Sequence, residues 1–166
     1  METRSHSVPR PFVGNKSDEI RSGYNRHRAR NDMWEKLVSE TIKLPLLEQH
    51  DMARQGIPIT QLNKALRSFV QLTEDEVLVA IGMNKRTVQR RSNGALKPAP
   101  SGALLDLVFV VQKATDVLGD RDAAEKWLRQ PAVAFNGLRP VDLLSTRQGA
   151  VLIKNHLIRM DYGVYV

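Results

Sequence analysis

The sixteen residues Ala103 to Leu118, ALLDLVFVVQKATDVL, constrain the fold of this chain more than any other stretch. Only Asp106, Gln112, Lys113, Thr115 and Asp116 are polar. A helix that is apolar on nearly every side has to be covered on more than one face. The stretch therefore predicts a central spine in an all-α fold, with other helices packed around it. Ser101 is expected to cap this helix, Gly119 to end it, and Lys97-Pro98-Ala99-Pro100 to link it to what precedes.

The segment before the linker predicts the helices on one side of the spine. Thr73 and Glu76 form a capping box that opens a helix from Glu74 to Ile81. Gly82-Met83-Asn84 reads as a tight turn, and Asn84 caps a helix from Lys85 to Ser92 that Asn93-Gly94 ends. Val77, Ile81, Met83 and Val88 fall where such a pair needs its small core. Two short helices, a Gly-led turn and a second helix rich in Lys, Arg, Thr and Gln predict a helix-turn-helix over about residues 74–92. The candidate DNA-binding residues are Lys85, Arg86, Thr87, Gln89 and Arg90. Gln pairs bidentately with adenine, Arg with guanine, and Lys or Arg neutralises phosphates. The bland alternative is a basic, solvated helix. The spine would pack against this unit on one side, and against the C-terminal helices or a second chain on another.

Charge supports the same division. Formal net charge is +7; residues 1–100 hold 17 Lys/Arg against 11 Asp/Glu, a net +6, and residues 101–166 hold 8 against 7, a net +1. A basic first part and a nearly neutral second part point to nucleic acid for the first only. Residues 1–31 are polar and basic, with Arg21, Arg26, Arg28 and Arg30 around Tyr24 and His27, and read as a flexible tail that could touch phosphates as an arm. Asp32 with Glu35 then starts a helix with Trp34, Leu37, Val38 and Thr41 on one face. A second helix is expected from Pro45 to Gln55 with Gly56 as its stop. A third, capped by Thr60, turns Leu62, Leu66, Phe69 and Val70 inward.

The C-terminal third begins with a short helix capped by Asp120 or Asp122, with Ala123, Ala124, Trp127 and Leu128 on its apolar side and Pro131 closing it. After a loop with Phe135, Asn136 and Gly137, Pro140 suits the first turn of a one-turn helix to Leu144. Ser145 or Thr146 caps a last helix, about Arg147 to Met160, with Ala150, Ile153, Leu157 and Met160 at helical spacing. The chain then reads Tyr162-Gly163-Val164-Tyr165-Val166, apolar and aromatic where ends are usually polar. Such an end either packs back on the last helix or serves a partner.

The residues Ala124, Trp127-Leu128, Gly137-x-Arg139-Pro140-x-Asp142-Leu143-Leu144, Ser145, Thr146, Gly149 and Tyr162-Gly163-Val164-Tyr165 together resemble the toxin-binding domain of the Xre/MbcA/ParS antitoxins, the partners of RES-domain toxins. The resemblance covers roughly residues 60–166. The stretch Gln130 to Ala134 departs from the P-N-x-A-L-like sequence usual there. The resemblance implies an antitoxin of a type II toxin–antitoxin pair. Its partner would be a toxin that consumes NAD or uses it for ADP-ribosylation, and it would repress its own operon. It also implies that the C-terminal end enters the toxin's active-site cleft. Here that end is Arg159, Tyr162, Gly163, Val164, Tyr165 and Val166, with Lys154 and Asn155 exposed on the last helix along the approach. The alternative is a stand-alone helix-turn-helix repressor whose C-terminal part only dimerises.

No enzyme constellation stands out. The chain has no cysteine, and His6, His27, His50 and His156 are scattered, so neither a disulfide nor a metal centre is expected, nor any cofactor. Asp142 is better read as a local partner of Arg139 than as a catalytic acid. No run has the length of a membrane-spanning helix, and a soluble, cytoplasmic protein is expected. The expected organisation is a tail at 1–31, a helical DNA-binding region at 32–100 and a spine plus small helical toxin-binding domain at 101–166. A homodimer or larger assembly with toxin and operator DNA follows from the habit of helix-turn-helix proteins to read two half-sites.

Overall fold

A computed structural model describes residues 16–90 and 94–163, which form nine α-helices. They are α1 (Lys16–Glu40), α2 (Leu46–Gln55), α3 (Ile59–Ser68), α4 (Glu74–Ala80), α5 (Lys85–Arg90), α6 (Pro98–Leu118), α7 (Arg121–Arg129), α8 (Pro140–Leu143) and α9 (Arg147–Asp161). A 3-10 turn, Val133–Phe135, lies between α7 and α8. Among the described residues there is no strand, only an isolated bridge between Pro58 and Ala95. The fold is all-α.

The spine is α6, buried through Leu104, Leu107, Val108, Val110, Val111 and Ala114. Its main partners are α2, α7 and α9. The expectation that the α4–α5 pair would cover the spine is therefore corrected: α4 rests chiefly on α8. Between the end of α4 and the start of α6 lies an open groove. It is lined by Ala80 to Gly82, Pro98 to Pro100, Gly102, Ala103 and Leu144 to Thr146. Three starts are also corrected. Lys97, not Ser101, precedes α6, because Pro98 suits the first helical position. Ser101 is buried inside the helix, where its hydroxyl donates to the Lys97 carbonyl (2.9 Å) and accepts the Ile57 N–H (3.0 Å). Pro58, not Thr60, precedes α3. The Ile57 carbonyl accepts from Leu96 (2.8 Å) and the Ile59 N–H donates to Gly94 (3.0 Å), which holds the chain extended through Pro58, so the helix starts as soon as those bonds end.

The third corrected start is at the N-terminal end. A tail ending at residue 31 and a cap at Asp32 were expected, but α1 begins at Lys16 and Asp32 lies inside it. Trp34, Leu37, Val38 and Thr41 are buried as predicted, and Trp34 packs on Phe69 at 5.5 Å and donates to Gln112 at 2.9 Å. An anchored turn removes the nucleation cost, so the Arg-, Ala- and Lys-bearing sequence before it continues as helix. Residues 1–15, Arg91, Ser92, Asn93 and Val164 to Val166 lie outside the described residues, and with them the predicted end of α5 and part of the terminal Y-G-V-Y-V.

Candidate functional site

The two candidate faces stand on one continuous core that takes residues from α1 through α9. The first face is α5. Thr73 and Glu76 make the predicted capping box at the start of α4, and Asn84 Oδ1 accepts the Thr87 N–H at 2.9 Å to start α5. Gly82 turns the chain at φ 68°, a conformation that favours glycine. Val77, Ile81 and Val88 are buried and Met83 is half-buried, the small core expected. This leaves Lys85, Arg86, Gln89 and Arg90 exposed on one short helix, with Thr87 half-buried. Lys85 also reaches Glu74 at 3.4 Å, an exposed pair that contributes little to stability.

The second face belongs to α7–α9. Asp120 caps α7 and Thr146 caps α9, which resolves both alternatives left by the sequence. Arg139 grips Asp142 with two bonds, Nε at 2.8 Å and Nη2 at 2.6 Å, the local pairing expected. Its Nη1 also reaches Glu76 in α4 at 3.3 Å, and Arg129 of α7 joins at 3.0 Å. Burial would raise the Glu76 pKa, but the bonds from Thr73 and Arg129 outweigh it and hold the carboxyl below its ordinary value. The Arg139-Pro140-x-Asp142 run thus ties the start of α8 to the capping box of α4.

Gly149, in the first turn of α9, has a steric role. A Cβ built there would lie 1.9 Å from the Leu143 carbonyl oxygen. The start of α9 approaches the end of α8 so closely that only glycine fits. Gly149→Ala is expected to cost about 1–3 kcal/mol or more, since the clash is with backbone and cannot be relieved by a side-chain rotation. Urea denaturation checks this, and an unchanged midpoint would refute the close approach.

Along α9, Ala150, Ile153 and Leu157 are buried and Met160 is half-buried, as predicted. The opposite stripe is exposed and largely apolar: Val151, Asn155, Ile158 and Tyr162 recur at helical spacing, flanked by Leu152 and Arg159. Tyr162 is 79% exposed, so it does not pack back on the helix. Of the predicted toxin-binding residues, Asn155, Arg159, Tyr162 and Gly163 lie on this exposed side. Lys154 was expected to be exposed, and this is corrected: it is half-buried, paired with Asp106 and set over the Phe109 ring at 5.1 Å. The stem of a lysine covers apolar surface well, and a carboxylate one helix away holds its head. Val164, Tyr165 and Val166 lie outside the described residues.

Val151, Leu152 and Ile158 were missed by the sequence reading. Their signal was present, since they are the apolar positions of α9 left over once the core stripe is assigned. Trp127 was read as core. It is half-buried and stacks on His156 at 6.1 Å with the rings 2° from parallel, while Phe135 meets both rings edge-on. Burial and the nearby Arg159 lower the His156 pKa.

Beneath the second face lies a buried charge that the sequence reading also missed. Glu125 is fully buried, and one of its oxygens accepts the N–H groups of Val70 (2.7 Å), Gln71 (2.5 Å) and Leu72 (2.9 Å). These belong to the loop that leads into α4. Arg121, 7% exposed, faces Glu125 at 3.6 Å and lies over the Trp34 ring at 5.3 Å. Burial raises the Glu125 pKa and lowers that of Arg121.

This helical unit matches a known domain. Residues 113–163, the end of the spine through Gly163, match the family model described as the antitoxin Xre/MbcA/ParS C-terminal toxin-binding domain. The chain is 27% identical to the antitoxin Xre of Pseudomonas putida over 86% of this chain and 87% of that protein. It is 26% identical to the antitoxin Xre of Photorhabdus laumondii over 66% of this chain and 76% of that protein. It is also 24% identical to the Prs ADP-ribosylating antitoxin of a Sphingobium species over 68% of this chain and 77% of that protein. Residues 113–163 belong to that toxin-binding domain family, and the chain is of the Xre/MbcA/ParS antitoxin type. Among the described residues, no helix is long and apolar enough to cross a membrane.

Proposed function

We propose that this antitoxin-type chain neutralises a RES-domain toxin that consumes NAD or uses it for ADP-ribosylation, and represses its own operon through α4 and α5. The carrying observation is the exposed apolar stripe of α9, which runs to Tyr162 at the end of the matched toxin-binding domain. An aromatic anchor on a short tail can fill a cleft that otherwise holds a nucleotide, excluding substrate without chemistry. On this reading the protein is no enzyme: Asp142 is committed to Arg139, and the chain blocks rather than catalyses. The name of the Sphingobium relative, which joins antitoxin with ADP-ribosylation, fits the same class of partner.

Repression follows from the exposed Lys85, Arg86, Gln89 and Arg90 of α5. A homodimer would present two copies of that helix to two half-sites. Gln89→Ala or Arg90→Ala is expected to weaken binding to the chain's own promoter by about 1–3 kcal/mol where the lost contact is to a base, with toxin neutralisation intact. Mobility shifts at fixed salt measure this, and unchanged affinity in both variants would remove α5 from DNA reading. A stand-alone repressor whose C-terminal part only dimerises would bind that promoter but would not co-purify with the product of the neighbouring reading frame.

A further inference from the structure

We infer that the N-terminal half of α1 is a second contact with duplex DNA, a preformed helix that lays Arg21 and Arg28 against backbone phosphates. The inference rests on the DNA-binding reading of α5 and adds a site to it. The segment from Arg21 to Asn31 holds four arginines and no carboxylate. It is helical, and its described side chains are exposed throughout, Tyr24 at 68%. The Arg30 carbonyl ties it to α7, accepting from Arg121 at 3.4 Å.

A helix that is polar all round and faces solvent gains nothing from burial, and like charges along it repel. Among the described residues the guanidinium groups of Arg21 and Arg28 have no hydrogen-bond or ion-pair partner. A dense anion relieves all of this. Arg21 and Arg28 stand two turns apart on one side, about 10 Å along the axis. Over that length duplex DNA offers about six phosphate charges. The toxin-binding match begins only at residue 113, so α1 lies outside it and within the basic part of the chain.

The test is the salt dependence of binding by the full chain to two duplexes: its own promoter and an unrelated sequence of equal length. In Arg21→Gln/Arg28→Gln the slope of log affinity against log salt is expected to fall by about 2 on both duplexes. Between 50 and 200 mM salt the variant should then lose about tenfold less affinity than the parent. Arg21→Lys/Arg28→Lys should restore the slope, since phosphate contact needs charge and not shape. Circular dichroism confirms that α1 persists in each variant. An unchanged slope, with Gln89→Ala still weakening promoter binding, overturns this contact and leaves the α5 reading standing. A reduced slope with Gln89→Ala silent keeps α1 and removes α5. Loss of toxin co-purification without any change in DNA binding would assign the arginines to an acidic protein face and overturn the proposal, as would a parent chain that binds neither duplex.

Discussion

Replacing Glu125 with alanine is expected to lower stability by about 3–5 kcal/mol. The change strips the partner from three backbone N–H groups and leaves Arg121 as a buried charge without its counter-ion. Orphaned buried donors each cost on the order of 1–3 kcal/mol, and domains have only about 5–15 kcal/mol in total. Glu125→Gln should cost less, because its carbonyl can still accept from Val70 to Leu72. Urea titration of the three proteins measures this directly. A loss below about 1 kcal/mol for the alanine variant would mean that the carboxylate is not the anchor of that loop. Since Val70 to Leu72 lead into α4, promoter binding by the alanine variant should fall with stability, although Glu125 is far too buried to touch DNA.

Deleting Tyr162 to Val166 is expected to leave a folded protein that binds DNA and no longer protects cells. The core side chains of α9 end at Leu157 and Met160, so the fold loses little. The interface loses two tyrosines, and buried aromatic anchors are commonly worth about 2 kcal/mol or more each. Binding should weaken by orders of magnitude, unless the stripe Val151, Asn155, Ile158 carries enough of the contact to keep the complex together. In that second outcome the truncated chain still co-purifies with the toxin but NAD falls. A truncated chain that binds the toxin and holds NAD at its normal level would refute the tail as the blocking element and move inhibition to the α9 stripe or the Arg139 to Thr146 segment.

The sequence was informative where a single local rule decides the outcome. Thr73 with Glu76, Asn84 before Lys85, Gly119 after Leu118 and the spacing of Ala150, Ile153 and Leu157 each act within one or two turns, and each is found as read. It was less informative where partners are distant in the chain. Ser101 and Thr60 are good caps in isolation, but Pro98 and the Ile57–Leu96 bond start those helices earlier. Glu125 reads as an ordinary helix-surface residue until the loop from Val70 to Leu72 folds over it. Lys154 reads as exposed until Asp106, 48 residues away, comes beside it. The candidate faces were legible through leftover residues: the exposed polar set on α5, and the apolar positions of α9 outside its core stripe. The helical extension of α1 was not legible, because composition marks solvation and charge but does not separate a coil from a helix anchored at one end.

The central claim is that this chain silences a RES-type toxin by binding it. The most direct measurement is cellular NAD in a host expressing the toxin from the neighbouring reading frame, with and without the full-length chain, alongside co-purification of the two proteins. The account predicts that NAD collapses, or ADP-ribosylated protein accumulates, with toxin alone, and that the full-length chain restores the normal level in a stable complex. A full-length chain that neither co-purifies with that toxin nor changes the NAD level or the ADP-ribosylation it produces would contradict it.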